Sequence, residues 1–172
     1  MAPAGTGAGT GQIGYRVLGI YLNDHLAGAT AGTELAHRVA RTHRAPGPDG
    51  QLKRLAVEVA RDRAALIGMM KALGVPVRSY KVFAAWAGEK TARVKFNGRL
   101  LARSPLSDLE ELELLRLGVE GKAAGWRTLR TLADTDRRLD AGNLDELVSR
   151  ARCQADLLEE LRVRASEQVI SS

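Results

Sequence analysis

The chain has 172 residues with a net charge of +6, and its hydrophobic fraction of 45% includes only 4% aromatic residues and one cysteine. This length suits a single domain, and a core poor in aromatic residues favours packed helices, so we expect an all-α fold. A lone cysteine excludes an intramolecular disulfide, and no apolar run approaches the roughly 18 residues that a membrane-spanning helix needs. We therefore expect a soluble, cytoplasmic protein with no transmembrane segment.

The first predicted helix covers residues 15–42 and follows a leader, residues 1–12, that is rich in Gly, Ala and Thr and is expected to be disordered. Residues 13–172 are predicted to form one helical domain. One face of the first helix carries Leu18, Tyr21, His25, Gly28, Gly32, Leu35 and Val39 at steps of three and four. A histidine therefore interrupts an apolar seam.

A proline-rich turn ends the first helix, because Pro46 and Pro48 cannot continue it. The second helix is predicted over 51–73, with Gly74 at the position of a C-terminal glycine cap. Its apolar face is interrupted by Asp62 or, in the adjacent register, by Arg63.

The next segment, residues 74–104, is predicted to be a long connector that contains a short amphipathic helix over 79–95. Eight basic residues and one acidic residue lie between positions 71 and 103, so the whole positive excess of the chain falls here. Aromatic residues alternate with the basic side chains Lys81, Lys90, Arg93, Lys95 and Arg99, which could bind nucleic acid or an anionic membrane surface. A docked segment with a solvated basic face is the preferred interpretation.

Two further helices are predicted over 105–139 and 143–168. The first begins at Ser104 and Pro105, which offer an N-cap and an N1 proline, and the second is expected to be capped by Asn143 with Glu146 at the reciprocal position. Lys122 interrupts the apolar seam of the third long helix and Gln154 that of the fourth.

Four long helices with two tight turns and one long connector predict a four-helix bundle with a single crossover, as in ferritin-like folds. An all up-down bundle with a docked short helix is the alternative topology.

The four interruptions, His25, Asp62, Lys122 and Gln154, all lie near mid-helix and are predicted to meet in one buried polar layer. A buried carboxylate needs a partner, so Asp62 and Lys122 should pair with each other or with His25. One interpretation is that the layer fixes the alignment of the helices and binds nothing. The other is that it forms a small internal site. Glycines beside it either leave room for a ligand or allow close helix contact: Gly28, Gly32, Gly118, Gly121 and Gly125. Further candidates for ligand contact are Asp24, Glu58 and Trp126.

Three sequence runs carry a resemblance to a known group: residues 22–28 (LNDHLAG), 86–90 (WAGEK) and 117–126 (LGVEGKAAGW). In these runs the chain resembles a group of uncharacterised bacterial helical proteins that are themselves similar to the ferritin-like superfamily. The resemblance implies a fold and no established activity. Ferritin-like di-iron sites take a Glu from each of two helices and a Glu-x-x-His from each of the others, but the second and fourth helices here contain no histidine. No intact di-iron motif is present.

These observations favour a non-catalytic or degenerate ferritin-like bundle that acts in binding or assembly, with a homo-oligomer as one form of assembly. No catalytic residue and no cofactor is predicted. The alternative is a metal-binding or small-ligand-binding enzyme that uses the polar layer, with His25, Glu58 and Asp62 as a weaker candidate set of metal ligands.

Overall fold

The computed structural model describes residues 8–43, 50–78 and 105–171 of the chain, and side chains from residue 14 onward. These residues form four helices and no strands: α1 (Ala8–Thr42), α2 (Gln51–Ala72), α3 (Pro105–Ala133) and α4 (Ala141–Ile170). For these residues, the prediction of an all-α protein with four long helices is confirmed. None of the helices described combines the length and apolar character needed to cross a membrane.

Three helix ends differ from their predicted positions. Helix α1 already begins at Ala8, within the predicted leader, while α3 ends at Ala133 rather than near residue 139. The prediction that Asn143 caps α4 is wrong. The cap is Asp140, which has extended backbone angles (φ −92°, ψ 112°) and accepts a hydrogen bond from the Asn143 backbone N–H at 3.0 Å. The predicted helix over 79–95 lies outside the described residues.

The helices share a core made mainly of leucine and alanine, as the composition predicts. Each helix contributes fully buried side chains, among them Leu22, Leu26, Leu55, Met70, Leu112, Leu115, Leu144 and Leu158. Burying one such side chain stabilises the fold by about 1.5–3 kcal/mol. The core therefore supplies the main stabilising term, and polar residues within it need a separate account.

Contacts at both ends show how the helices run. Arg38, late in α1, pairs with Glu111, early in α3, at 3.1 Å. The Tyr21 hydroxyl, nearer the start of α1, donates to the Thr128 hydroxyl late in α3 at 3.0 Å. Helices α1 and α3 are therefore antiparallel neighbours.

The same reasoning applies to the other two helix pairs. In α1 and α2, Thr30 accepts from Arg63 at 2.9 Å, and Asn23 donates to the carbonyl of Pro76 at 3.1 Å. In α3 and α4, Arg130 bonds to Asp145 at 3.0 Å, and the earlier Arg116 pairs with the later Glu159 at 3.1 Å. Both pairs are antiparallel hairpins.

One end of the molecule is held by Arg138, in the turn between α3 and α4. Its guanidinium bonds to Asp136 at 2.6 Å, to the Leu73 carbonyl at 3.3 Å and to the Tyr15 hydroxyl. These bonds from Arg138 lower the pKa of Asp136 to about 2. The predicted glycine cap at Gly74 has φ +71°, a left-handed conformation that glycine adopts without steric cost.

Candidate functional site

The most buried charge of the described residues is Asp62 on α2, whose side chain is 1% exposed. Its Oδ2 lies 2.5 Å from the Nζ of Lys122 on α3. Its Oδ1 accepts from the guanidinium of Arg150 on α4, with N···O distances of 2.7 and 2.9 Å. Both carboxylate oxygens therefore have cationic partners, which a buried carboxylate requires.

Gln154 on α4 completes this arrangement. Its Oε1 accepts from the Nζ of Lys122 at 2.5 Å, and its Nε2 donates to Glu58 at 2.9 Å and to Asp62 at 3.4 Å. We call Glu58, Asp62, Lys122, Arg150 and Gln154 the Asp62 cluster. The cluster contains two acidic and two basic side chains, so its net formal charge is zero. Burial lowers the pKa of Lys122, and the adjacent Asp62 carboxylate acts in the opposite direction.

His25 on α1 is not hydrogen-bonded to this cluster. The half-buried ring packs edge-to-face on Tyr21, with centroids 4.4 Å apart, and lies directly against Gly125 of α3. Among the described residues, neither ring nitrogen has a hydrogen-bond partner. Burial lowers the pKa of His25, while the charge of Asp24 opposes that shift. The structure thus brings Asp62, Lys122 and Gln154 into contact, and Asp62 pairs with Lys122, one of the two predicted alternatives, whereas His25 makes no hydrogen bond to these three residues.

A groove lies between α1 and α3, with a cavity volume of about 410 Å³. Its lining is mainly apolar and comes from core residues such as Leu22, Val59, Leu66, Leu115, Val119 and Leu129. Polar side chains enter it from three helices: Asp24 and His25 from α1, Asp62 from α2 and Lys122 from α3. A cavity of this volume and character falls within the range of sites for small organic ligands.

Glycines leave much of the groove wall open. A β-carbon added at Gly28 or Gly32 on α1, or at Gly118 or Gly121 on α3, would meet no atom within 4 Å. At Gly125 it would lie 3.0 Å from the Cε1 and Nδ1 atoms of His25. Four of the five predicted glycines therefore leave room beside the cluster, and the fifth permits close contact between two helices.

Of the other predicted ligand contacts, Trp126 lies in the groove and Glu58 does not. Trp126 lines the groove and is 3% exposed, and its Nε1–H has no acceptor within the described part of the chain. Glu58 instead faces Gln154 in the cluster. Arg63, the residue of the alternative register, bonds to Thr30 on α1. The predicted anion-binding residues of the connector all fall within 79–104, outside the described residues.

The predicted metal set, His25, Glu58 and Asp62, does not form a coordination site. Across residues 8–43, 50–78 and 105–171, no group of three or more His, Cys, Asp or Glu side chains is placed to hold a metal ion. The physical reason lies in the cluster, where both oxygens of Asp62 bind Lys122 and Arg150.

Sequence reasoning missed Arg150. Its side chain is 37% exposed, so its position on α4 has the character of a solvated surface residue. The available signal is its spacing: it precedes the buried Gln154 by four residues, which places both on one helix face.

Comparison with protein-family models, curated proteins and solved structures finds no match to this chain.

Proposed function

We propose that this chain is a non-catalytic, ferritin-like helical bundle that binds a small, mainly apolar ligand in the groove between α1 and α3. The helix directions support the ferritin-like part of the proposal. Pro76, just past α2, contacts Asn23, whereas Glu111, early in α3, contacts Arg38. Those two places on α1 are about 22 Å apart at the usual helical rise. A connector that joins them would cross the length of the bundle once.

The observation that carries the binding proposal is the open, glycine-lined groove. A glycine inside a helix costs about 0.5–1 kcal/mol relative to alanine. Four such residues, Gly28, Gly32, Gly118 and Gly121, face space that alanine could enter without contact. Gly68, outside the groove, has the same open space, so the cavity that the four glycines line carries the proposal rather than the open space alone. If a ligand occupies the groove, the absence of side chains at these four positions leaves the space that the ligand needs.

The Asp62 cluster has a supporting role in this proposal. It links α2, α3 and α4 through charged hydrogen bonds directly beside the groove. Because its donors and acceptors are largely occupied by one another, it would hold the wall that faces α1 in a fixed position.

A cavity-filling substitution tests the proposal. We would titrate the full chain with a neutral apolar fluorescent dye and compare the wild type with Gly121→Leu. The matched control is Gly68→Leu, because Gly68 on α2 also has no atom within 4 Å of an added β-carbon but does not line the groove. Saturable binding that Gly121→Leu removes and Gly68→Leu retains is the expected result.

Two outcomes contradict the proposal. One is equal binding by both variants, which would place the dye elsewhere. The other is a wild-type dimer, seen by light scattering, that Gly121→Leu dissociates. That second outcome would assign the groove to another copy of the chain.

A further inference from the structure

We infer that the ligand of the groove is an amphiphilic amine, whose apolar body lies along the glycine-lined wall and whose ammonium group pairs with Asp24. This inference rests on the function proposed above and adds the chemical class of the ligand. The observation behind it is the charge that the groove leaves unpaired.

Asp24, Asp62 and Lys122 are the acidic and basic side chains that line the groove from the described helices. The last two bond to each other at 2.5 Å, and Arg150 takes the second oxygen of Asp62. Asp24 is exposed and makes no hydrogen bond or ion pair within the described parts of the chain. Within residues 8–43, 50–78 and 105–171, the charged group of the groove that remains available to a ligand is therefore the Asp24 carboxylate.

His25 adds a second contact for a donor. Its ring lines the groove next to Asp24, and its nitrogens have no partner among the described residues. Burial lowers the pKa of His25, which favours the neutral imidazole, and a neutral ring nitrogen can accept a hydrogen bond from an ammonium group. Its ring contacts Tyr21, and the other titratable side chains that line the groove from the described helices are Asp24 on α1, Asp62 on α2 and Lys122 on α3.

The same charges disfavour an acidic ligand. A carboxylate in the groove would face Asp24, and the compensating charge of Lys122 is already used by Asp62. A neutral ligand would fill the apolar part without using the charge of Asp24, which is exposed and solvated by water. A ligand with an apolar body and an ammonium group fills the apolar part of the groove and also pairs with Asp24.

Three probes with the same octyl chain separate these cases: octylammonium, octanol and octanoate. Titration calorimetry on the full chain should give the tightest binding for octylammonium and the weakest for octanoate. The exposed position of Asp24 limits its contribution, so we expect octylammonium to bind about two- to fivefold more tightly than octanol. Raising the salt concentration should reduce that preference.

Asp24→Asn should abolish the preference, so that octylammonium and octanol bind with equal affinity. The control is Glu34→Gln, which removes an exposed acid from the same helix away from the groove and should keep the preference. Equal wild-type affinity for octylammonium and octanol, or tighter binding of octanoate, would overturn the inference and leave the proposed function standing. Failure of all three probes to bind would overturn both.

Discussion

Two interfaces of this protein lie side by side and are built in opposite ways. Where α2 meets α3 and α4, the buried Asp62 has a partner for each of its oxygens, and Gln154 uses both ends of its amide. Tyr21–Thr128 and Arg38–Glu111 join α1 to α3. In the groove between these helices, however, four glycines face open space, and Asp24 and His25 have no hydrogen-bond partners among the described residues. In the first interface the buried polar groups are hydrogen-bonded to one another. The second contains unfilled volume and polar groups without a hydrogen-bond partner in the described part of the chain, which are features typical of a binding site.

The comparison predicts the largest loss of stability in the closed interface. Asp62→Ala leaves Lys122 with one fewer partner and removes the carboxylate that binds Arg150. We expect its free energy of unfolding to fall by about 3 kcal/mol, since breaking a buried ion pair costs roughly 3–5 kcal/mol and Arg150 is partly solvated.

Urea denaturation measures this loss, with Asp156→Ala as the control. Asp156 is an exposed acid on α4, and its removal should change stability by no more than about 0.5 kcal/mol. Equal, small effects of the two substitutions would mean that the Asp62 cluster contributes little to the fold.

Alanine substitutions within the open interface should have effects of opposite sign. Gly121→Ala enters open space and should stabilise the protein by about 0.5–1 kcal/mol through helix propensity. Gly125→Ala places a β-carbon 3.0 Å from the His25 ring and should destabilise it by about 1 kcal/mol.

Thermal unfolding of the double variant His25→Ala/Gly125→Ala provides the internal check. Without the ring, Gly125→Ala should become stabilising, as Gly121→Ala is. If Gly125→Ala is equally harmful with and without His25, the close contact between α1 and α3 is not its cause.

The smallest expected effect is a pH dependence at His25. Because its pKa is lowered in the folded protein, the unfolded chain binds the proton more readily as the pH falls below 6.5. Stability contributed by the neutral ring is therefore present at pH 7.5 and is lost as the pH falls through the folded pKa. Between pH 7.5 and 5.5 the wild type should lose more stability than His25→Gln, measured by urea denaturation. An equal loss in both proteins would show that the histidine titrates as it does in water.

Helical periodicity was sufficient to find three of the five residues of the Asp62 cluster. Asp62, Lys122 and Gln154 each replace an apolar residue in a seam of leucines, valines and alanines, and a seam position of a helix faces the core whatever its neighbours are. The same reasoning was insufficient for His25, because periodicity gives the face of a helix but not which residue of another helix stands opposite. The absence of a β-carbon at Gly125 decides that contact.

Arg150 illustrates a second limit of prediction from the sequence. A long side chain can extend from a partly exposed backbone position to a buried carboxylate, so its residue type and exposure do not reveal its partner. The cap of α4 illustrates a third limit of prediction from the sequence. Asp140 and Asn143 are both good capping residues, and the backbone angles at Asp140 determine which one is used.

Backbone amide NMR of the glycines tests most directly whether the groove between α1 and α3 is a ligand site. On saturation with octanol, the amide signals of Gly28, Gly32, Gly118 and Gly121 should shift, while that of Gly68, on α2 and outside the groove, should not. Saturable binding without shifts at the four groove glycines, or with equal shifts at Gly68, would contradict the proposal that this groove binds a ligand.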